Sequence, residues 1–247
     1  MKASPDAQLR LLDLAALDTE LGRLDHRRRS LPEIAELARL NGQAAQTADA
    51  LVTADTELAD LDGEQTRAER DVEQVRTRID RDRQRMDAGQ VSSAKELESL
   101  QGEIQSLLRR QSDLEEVVLE LMERREGLEA SRDGLAKTRD ELATEIAKVT
   151  ARRDAALGEI GAEADKASGS RTGLAAEQPA DLLALYDKLR DQHGGLGAAA
   201  LIRGACQGCN LSLNSGDLAA IRAAAPDEVL RCEECRRILV RTPESGV

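Results

Sequence analysis

The residues with the plainest chemistry are four cysteines, arranged as Cys206-Gln-Gly-Cys209 and Cys232-Glu-Glu-Cys235 with 22 residues between the pairs. Two residues between thiols allow one tight turn to aim both sulfurs at a point, and two such turns complete a tetrahedron. Four thiolates placed this way suit one structural zinc ion, which has no redox chemistry and fills closed four-thiolate shells. All four positions are then occupied, so a catalytic zinc with an open site is disfavoured. A redox dithiol is the weaker alternative, because nothing around the motif suggests a thioredoxin-like fold. The separation slightly exceeds the usual ~15–20 residues of this signature. Leu218 to Ala224 can take up the extra length as a short helix or loop. Gly208 eases the first turn, whereas Glu233 and Glu234 leave the second without a glycine.

The flanks of these pairs, Ala198 to Arg203, Val229 to Arg231 and Arg237 to Arg241, read as the short strands of a zinc ribbon. A segment of about 50 residues with no aromatic builds little core of its own. Metal binding is therefore expected to supply most of its folding free energy.

What positions this ribbon is a pair of long helices. From Leu97, a first heptad row runs Leu97, Ile104, Gln111, Val118, Arg125, Arg132, Arg139, Ile146, Arg153, Ile160. The second row, Leu100, Leu107, Leu114, Leu121, Leu128, Leu135, Leu142, Val149, Ala156, is apolar throughout. An unbroken 3-4 alternation is a coiled-coil seam rather than the drifting face of a globular helix. From Ser93 to about Asp165 it predicts a rod of roughly 105 Å.

Upstream, Leu58, Leu61, Gln65, Ala68, Val72, Val75, Ile79, Asp82 and Met86 form a matching seam. Between the two lies Ala88-Gly89-Gln90-Val91-Ser92, a turn signal, followed by a capping box of Ser93 and Glu96. Two seams joined by about five residues fold back as an antiparallel hairpin. Folding about residue 91 pairs Ile79 with Ile104 and Leu51 with Arg132. Arg125, Arg132, Arg139 and Arg153 then face the weaker, alanine-rich part of the first seam, where they can snorkel or meet acids across it.

A first helix over 5–29 ends at Ser30-Leu31-Pro32-Glu33, where proline imposes a kink and Ser30 with Glu33 has capping-box spacing. Ser168, Gly169, Ser170 and Gly173 give 168–178 the composition of a linker. Pro179 then opens a short amphipathic helix ending near Gln192, with Leu182, Leu185, Tyr186 and Leu189 on one face. The expected fold is all-α: a coiled-coil hairpin over 1–167 and a linker over 168–178. A short helix with the four-cysteine zinc ribbon follows over 179–247.

Composition narrows the function. Phe and Trp are absent and Tyr186 is the only aromatic, while 33% of residues are charged. The net charge of −12 falls on residues 1–195, because residues 196–247 hold six arginines and six acids. So acidic a rod is a poor general ligand for phosphate backbones. Met1-Lys2-Ala3-Ser4-Pro5-Asp6 is no secretory signal, and no apolar run reaches the ~20 residues of a membrane span. A cytoplasmic protein is expected, with no membrane partner and no small-molecule substrate. His26 beside Arg27 and His193 at a helix end read as solvent-facing, and no phosphate-cradling or nucleophile motif stands out, so no enzyme is expected.

Two surfaces remain as candidates. Near the hairpin turn, Arg76, Arg78, Arg81, Arg83 and Arg85 lie within ten residues, with Lys95 and Glu96 just across the turn. Arg81, Arg83, Arg85, Lys95 and Glu96 are the expected docking residues for a protein partner, an acidic one. On the ribbon, Arg203, Arg231, Arg236, Arg237 and Arg241 could meet the phosphates of RNA or DNA. Such contact would be weak and indifferent to sequence, because the ribbon has no aromatic for base stacking.

The chain resembles a family of bacterial proteins that join a coiled-coil hairpin to a C-terminal C4-type zinc ribbon, many labelled nucleic-acid-binding. The resemblance covers nearly the whole chain. It rests on Leu31-Pro32-Glu33-Ile34, on Val91-Ser-Ser-Ala-Lys95-Glu96-Leu97 through Ile104, and on Leu185-Tyr186. The cysteine tail through Arg237-Ile238-Leu239 completes it. Relatives commonly carry glycine after the fourth cysteine and tyrosine after the Ile-Leu pair, where Arg236 and Val240 stand here. The resemblance implies a non-enzymatic protein with transcription-factor, secretion or RNA partners.

Overall fold

The computed structural model describes residues 1–246. Its elements in order are α1 (Pro5–Arg29), α2 (Pro32–Asp87), α3 (Ala94–Ala176), α4 (Ala180–Gln192), β1 (Ala198–Ile202), β2 (Ala205–Cys206), α5 (Ser215–Ala223), β3 (Leu230–Arg231) and β4 (Ile238–Arg241). Two compact units result, residues 1–35 with 151–247, and residues 36–150.

The unit 36–150 is the coiled-coil hairpin of α2 and α3. Every second-row residue from Leu100 to Val149 is buried or half-buried, whereas Arg132 and Arg139 of the first row are exposed. Burial comes in separate small clusters: Leu37 and Leu40 with Val149, Leu61 and Ala68 with Leu121, Ile79 with Leu100 and Ile104. Ile79 meets Ile104 as folding about residue 91 requires. Farther along, Arg132 meets Asp55 at 2.9 Å, one turn from the expected Leu51, because its guanidinium reaches to the nearest carboxylate. Arg125 reaches Gln65 across the seam at 3.5 Å, while Arg139 and Arg153 turn instead to Asp140 and Asp154 beside them. One seam position is anomalous. Asp82 is 2% exposed, and its Oδ2 has no hydrogen-bond partner among the described residues.

At the turn, Gly89 takes φ +65°, which the missing Cβ permits. Ser93 Oγ accepts from the Glu96 amide at 3.2 Å, and the Glu96 carboxylate accepts from the amide and hydroxyl of Ser92. The capping box forms, with its return bond shifted by one residue.

The second unit departs from expectation in three places. Ser30 closes α1, its amide and hydroxyl both donating to His26 O, so it does not cap α2. Residues 168–176 are helical, not linker. Tertiary contacts override their composition: Ala167 is buried, Leu174 and Ala175 pack on a core, and Arg171 is held by two carboxylates. The first helix belongs with the ribbon rather than with a separate hairpin domain over 1–167.

That unit centres on a four-stranded sheet of order β2-β1-β4-β3, with β1 and β4 parallel and both outer pairs antiparallel. Strand alternation gives it two buried faces. Ala198, Ile238 and Val240 pack against Leu11 and Leu14 of α1 and Leu182, Tyr186 and Leu189 of α4. Ala199, Leu201 and Leu239 face the cysteines, with Leu213 and Ile221. Gly197 is required where β1 begins, since a Cβ there would lie 2.5 Å from Tyr186 O. The first residues of the chain also join this unit: Ala3 N donates to Asp227 O, and Val229 N donates to Met1 O.

Candidate metal centre

The two cysteine turns are built alike. In the first, the amide of Asn210 donates to Cys206 O at 2.8 Å, and in the second that of Arg236 donates to Cys232 O at 2.9 Å. Each turn is closed by a left-handed residue directly after its second cysteine, Asn210 and Arg236, both at φ +61°. The backbone thereby points both sulfurs of each turn inward.

The four sulfurs lie within 4.8 Å of one another, with Cys206 to Cys235 and Cys209 to Cys232 each at 3.9 Å. A tetrahedron of Zn–S bonds near 2.3 Å has sulfur–sulfur edges of about 3.8 Å. Donor type, number and spacing therefore fit one structural zinc, as expected. Cys206 and Cys232 are buried, and Cys209 and Cys235 are half-buried.

The protein by itself does not favour four thiolates side by side. Burial pushes the Cys206 thiol up to about 12 and raises Cys232 as well. Burial opposes ionisation of Cys235 too. Hydrogen bonds from the backbone and side chain of Arg237, and from Cys232 and Cys209, outweigh it and bring Cys235 down to about 7. A divalent cation would favour the thiolate form of its ligands, since that is the form it binds.

The five ribbon arginines fare differently. Arg237 donates Nε to Leu196 O at 2.9 Å, Nη1 to Gly208 O at 3.2 Å and Nη2 to His193 O at 3.2 Å. It fastens the first cysteine turn to the end of α4. Gly208 lies so close that a Cβ would stand 2.9 Å from Ala199 Cβ and 3.0 Å from Arg237 Cδ. Arg241 donates to the carbonyls of Ile221, Ala224, Ala225, Pro226 and Glu228, closing the end of α5 and the turn after it. Arg231 donates to Arg236 O, and Arg236 pairs with Glu233. Arg203 alone of the five is exposed without a side-chain partner among the described residues.

At the hairpin turn the opposite holds. Arg81, Arg83, Arg85 and Lys95 are all exposed. Arg83 and Lys95 make no ion pair among the described residues, and Arg81 reaches only its buried neighbour Asp82, at 3.8 Å. Glu96, exposed beside them, is engaged locally. Its carboxylate is held below its ordinary range by hydrogen bonds from Ser92, so its work is to cap α3.

A polar cluster lies beside the ribbon core. Tyr186 Oη donates to Asp18 Oδ2 at 2.6 Å, and Arg171 donates to Asp18 Oδ1 at 2.6 Å and to Asp187 at 2.9 Å. The cluster ties α1, α3 and α4 together, and burial with the Asp18 carboxylate drives the Tyr186 hydroxyl far above its usual range. Its only trace in the sequence is a lone tyrosine on an otherwise aliphatic helix face.

Comparison with known proteins matches residues 14–194 to the CT398-like coiled coil hairpin domain, and residues 205–239 to the C4-type zinc ribbon domain. Uncharacterised protein Rv2229c of Mycobacterium tuberculosis is 39% identical over 241 residues, 98% of each chain. A solved structure from Mycobacterium smegmatis superposes with a TM-score of 0.87 at 38% identity, covering 98% of this chain and all of that one. CT398 from Chlamydia trachomatis shares the fold at TM-score 0.73 and 19% identity, over 96% of this chain and 98% of that one.

Proposed function

Because this chain belongs to the CT398-like coiled-coil hairpin family and carries a C4-type zinc ribbon, we propose that it is a non-enzymatic, zinc-stabilised adaptor of the cytoplasm that docks an acidic protein partner through the end of its hairpin. One contrast carries the reading. The arginines and lysine at the turn, Arg81, Arg83, Arg85 and Lys95, are exposed and nearly unpaired. Those of the ribbon are largely engaged by internal carbonyls. A cation bonded to backbone carbonyls inside the fold is a weak phosphate ligand, which favours a protein partner over RNA or DNA. Among the described residues, no helix is long and apolar enough to cross a membrane.

The ribbon supports the adaptor role by presenting a compact, metal-fixed surface that includes Arg203, the exposed Leu211 and the groove beside α5. The test is affinity capture from the native host with the wild type, with Arg81, Arg83 and Arg85 changed to Glu, and with Cys206→Ser. A partner lost with the charge-reversed turn supports the reading. A partner indifferent to both variants overturns it, and recovery of nucleic acid alone, abolished between ~50 and ~200 mM salt, would favour the second surface.

A further inference from the structure

From the charges along one flank of α2, we infer that two copies of this chain pair with each other, antiparallel, about a two-fold axis at Asp71. The flank is a stripe at the same 3-4 spacing as the seam, and so runs alongside it: Glu57, Asp60, Glu64, Arg67, Asp71, Gln74, Arg78, Arg81, Arg85. Every one of these side chains is exposed. Its two halves carry opposite charge. Glu57, Asp60 and Glu64 line an open groove with Leu61, Arg124 and Leu128. About 31 Å along the helix, at 1.5 Å per residue, lie Arg78, Arg81 and Arg85.

The spacing of the two halves is matched. About a dyad at Asp71, Arg78 falls opposite the partner copy's residue 64, Arg81 opposite residue 60 or 61, and Arg85 opposite residue 57. A two-fold interface is self-complementary, so these three pairings occur twice. Each end keeps its own sign: three carboxylates outnumber the Arg124 guanidinium at one, and three arginines outnumber the Glu103 and Asp82 carboxylates beside them at the other. Near the axis, Arg67 meets Gln74, and the Asp71 side chains approach each other with Arg67 one turn away to offset them. A parallel, in-register pair would set arginine on arginine and acid on acid, so charge alone selects the antiparallel arrangement, as flanking charges do in coiled coils.

Each exposed pair contributes little by itself and is screened by salt. The assembly therefore depends on all six acting together and is strongest at low ionic strength. It shares Arg81 and Arg85 with the proposed docking surface, but it requires only the purified chain, so its failure is read separately from a failure of the adaptor reading.

Sedimentation velocity at ~20 and ~500 mM salt tests it, with far-UV circular dichroism confirming the helices of each variant. The wild type is expected to be dimeric at low salt and monomeric at high salt. Changing Arg78, Arg81 and Arg85 to Glu, or Glu57, Asp60 and Glu64 to Arg, should give monomers under both conditions. Mixed together, the two variants should form a one-to-one heterodimer, and a chain carrying all six changes should dimerise again. A wild type monomeric at low salt and high concentration overturns the inference. So does failure of the two reversed variants to recognise each other, or a dimer indifferent to both reversals.

Discussion

The two units of this molecule hold themselves together in different ways. In residues 36–150 burial is spread along a seam in small separate clusters, each of a few side chains. In the ribbon-bearing unit, α1, α4 and one face of the sheet share a single core of eleven buried residues. To this are added a buried ion cluster, arginines bonded to carbonyls and a tetrahedron of sulfurs. A seam of local contacts can open piecemeal from its end, whereas an interlocked core must open as a block. The seam thus suits a surface that adapts to a partner, and the core suits one that holds its shape.

The sharpest way to break the comparison is to remove the metal. Structural zinc in small ribbons contributes on the order of 10 kcal/mol. Chelation, or Cys206→Ser, should therefore loosen the ribbon while leaving the seam intact. Tyr186 is the only aromatic residue, so intrinsic fluorescence reports on the ribbon-bearing unit alone. Fluorescence should change on chelation while far-UV ellipticity, dominated by α2 and α3, changes little. Lowering the pH should have the same effect, because protons compete with zinc for each sulfur. If helicity collapses together with the fluorescence, the two units are one cooperative block.

Next in size is the buried ion cluster. The Asp18 side chain is 7% exposed and Arg171 19%, and stripping one partner from a buried pair typically costs about 3–5 kcal/mol. Asp187 remains to hold Arg171, so Asp18→Ala should cost about 3 kcal/mol, the low end of that range. The loss should appear in urea unfolding followed by tyrosine fluorescence. An unchanged midpoint would mean that the apolar core alone holds α1 against α4.

How much of this was legible in the sequence follows from the range of each interaction. The seam was legible because Leu100 through Val149 repeat along a single helix, and the zinc ligands because two short turns carry them. The helical state of 168–176 was not, since Ser168, Gly169 and Gly173 favour a linker locally. What overrides them is Arg171 meeting Asp18, 153 positions away in the chain. The same distance hid the work of Arg237 and Arg241. A count of arginines beside the cysteines suggests a phosphate surface, and only the folded chain brings the carbonyls of His193, Leu196 and Gly208 around Arg237.

The seam has a defect that can be repaired to sharpen the contrast. Asp82 occupies an interior position, 2% exposed, with one oxygen unbonded and its nearest cations 3.8 and 4.0 Å away. Replacing an uncompensated buried carboxylate by an apolar residue of similar reach is expected to stabilise by about 2 kcal/mol. Asp82→Leu should therefore slow amide exchange roughly thirty-fold over 75–105, near the turn. Tyrosine fluorescence unfolding should be unaffected. Faster exchange would show that the arginines beside Asp82 hold it more firmly than their distances suggest.

The smallest effect tests the symmetry of the two cysteine turns. Both close on a left-handed residue, Asn210 in one and Arg236 in the other. Asparagine visits this conformation readily, whereas in arginine the Cβ crowds the following carbonyl. Arg236 recovers little in return, because its pair with Glu233 is solvent-exposed on both sides, 58% and 64%. The bond from its amide to Cys232 O belongs to the backbone and survives substitution. Arg236→Gly should therefore stabilise the zinc-bound ribbon by about 1 kcal/mol, and Asn210→Gly should change it much less. A chelator competition reads both directly, as slower zinc loss from the Arg236 variant alone. Faster loss from that variant would mean that the arginine side chain, and not the backbone turn, fixes the second pair of sulfurs.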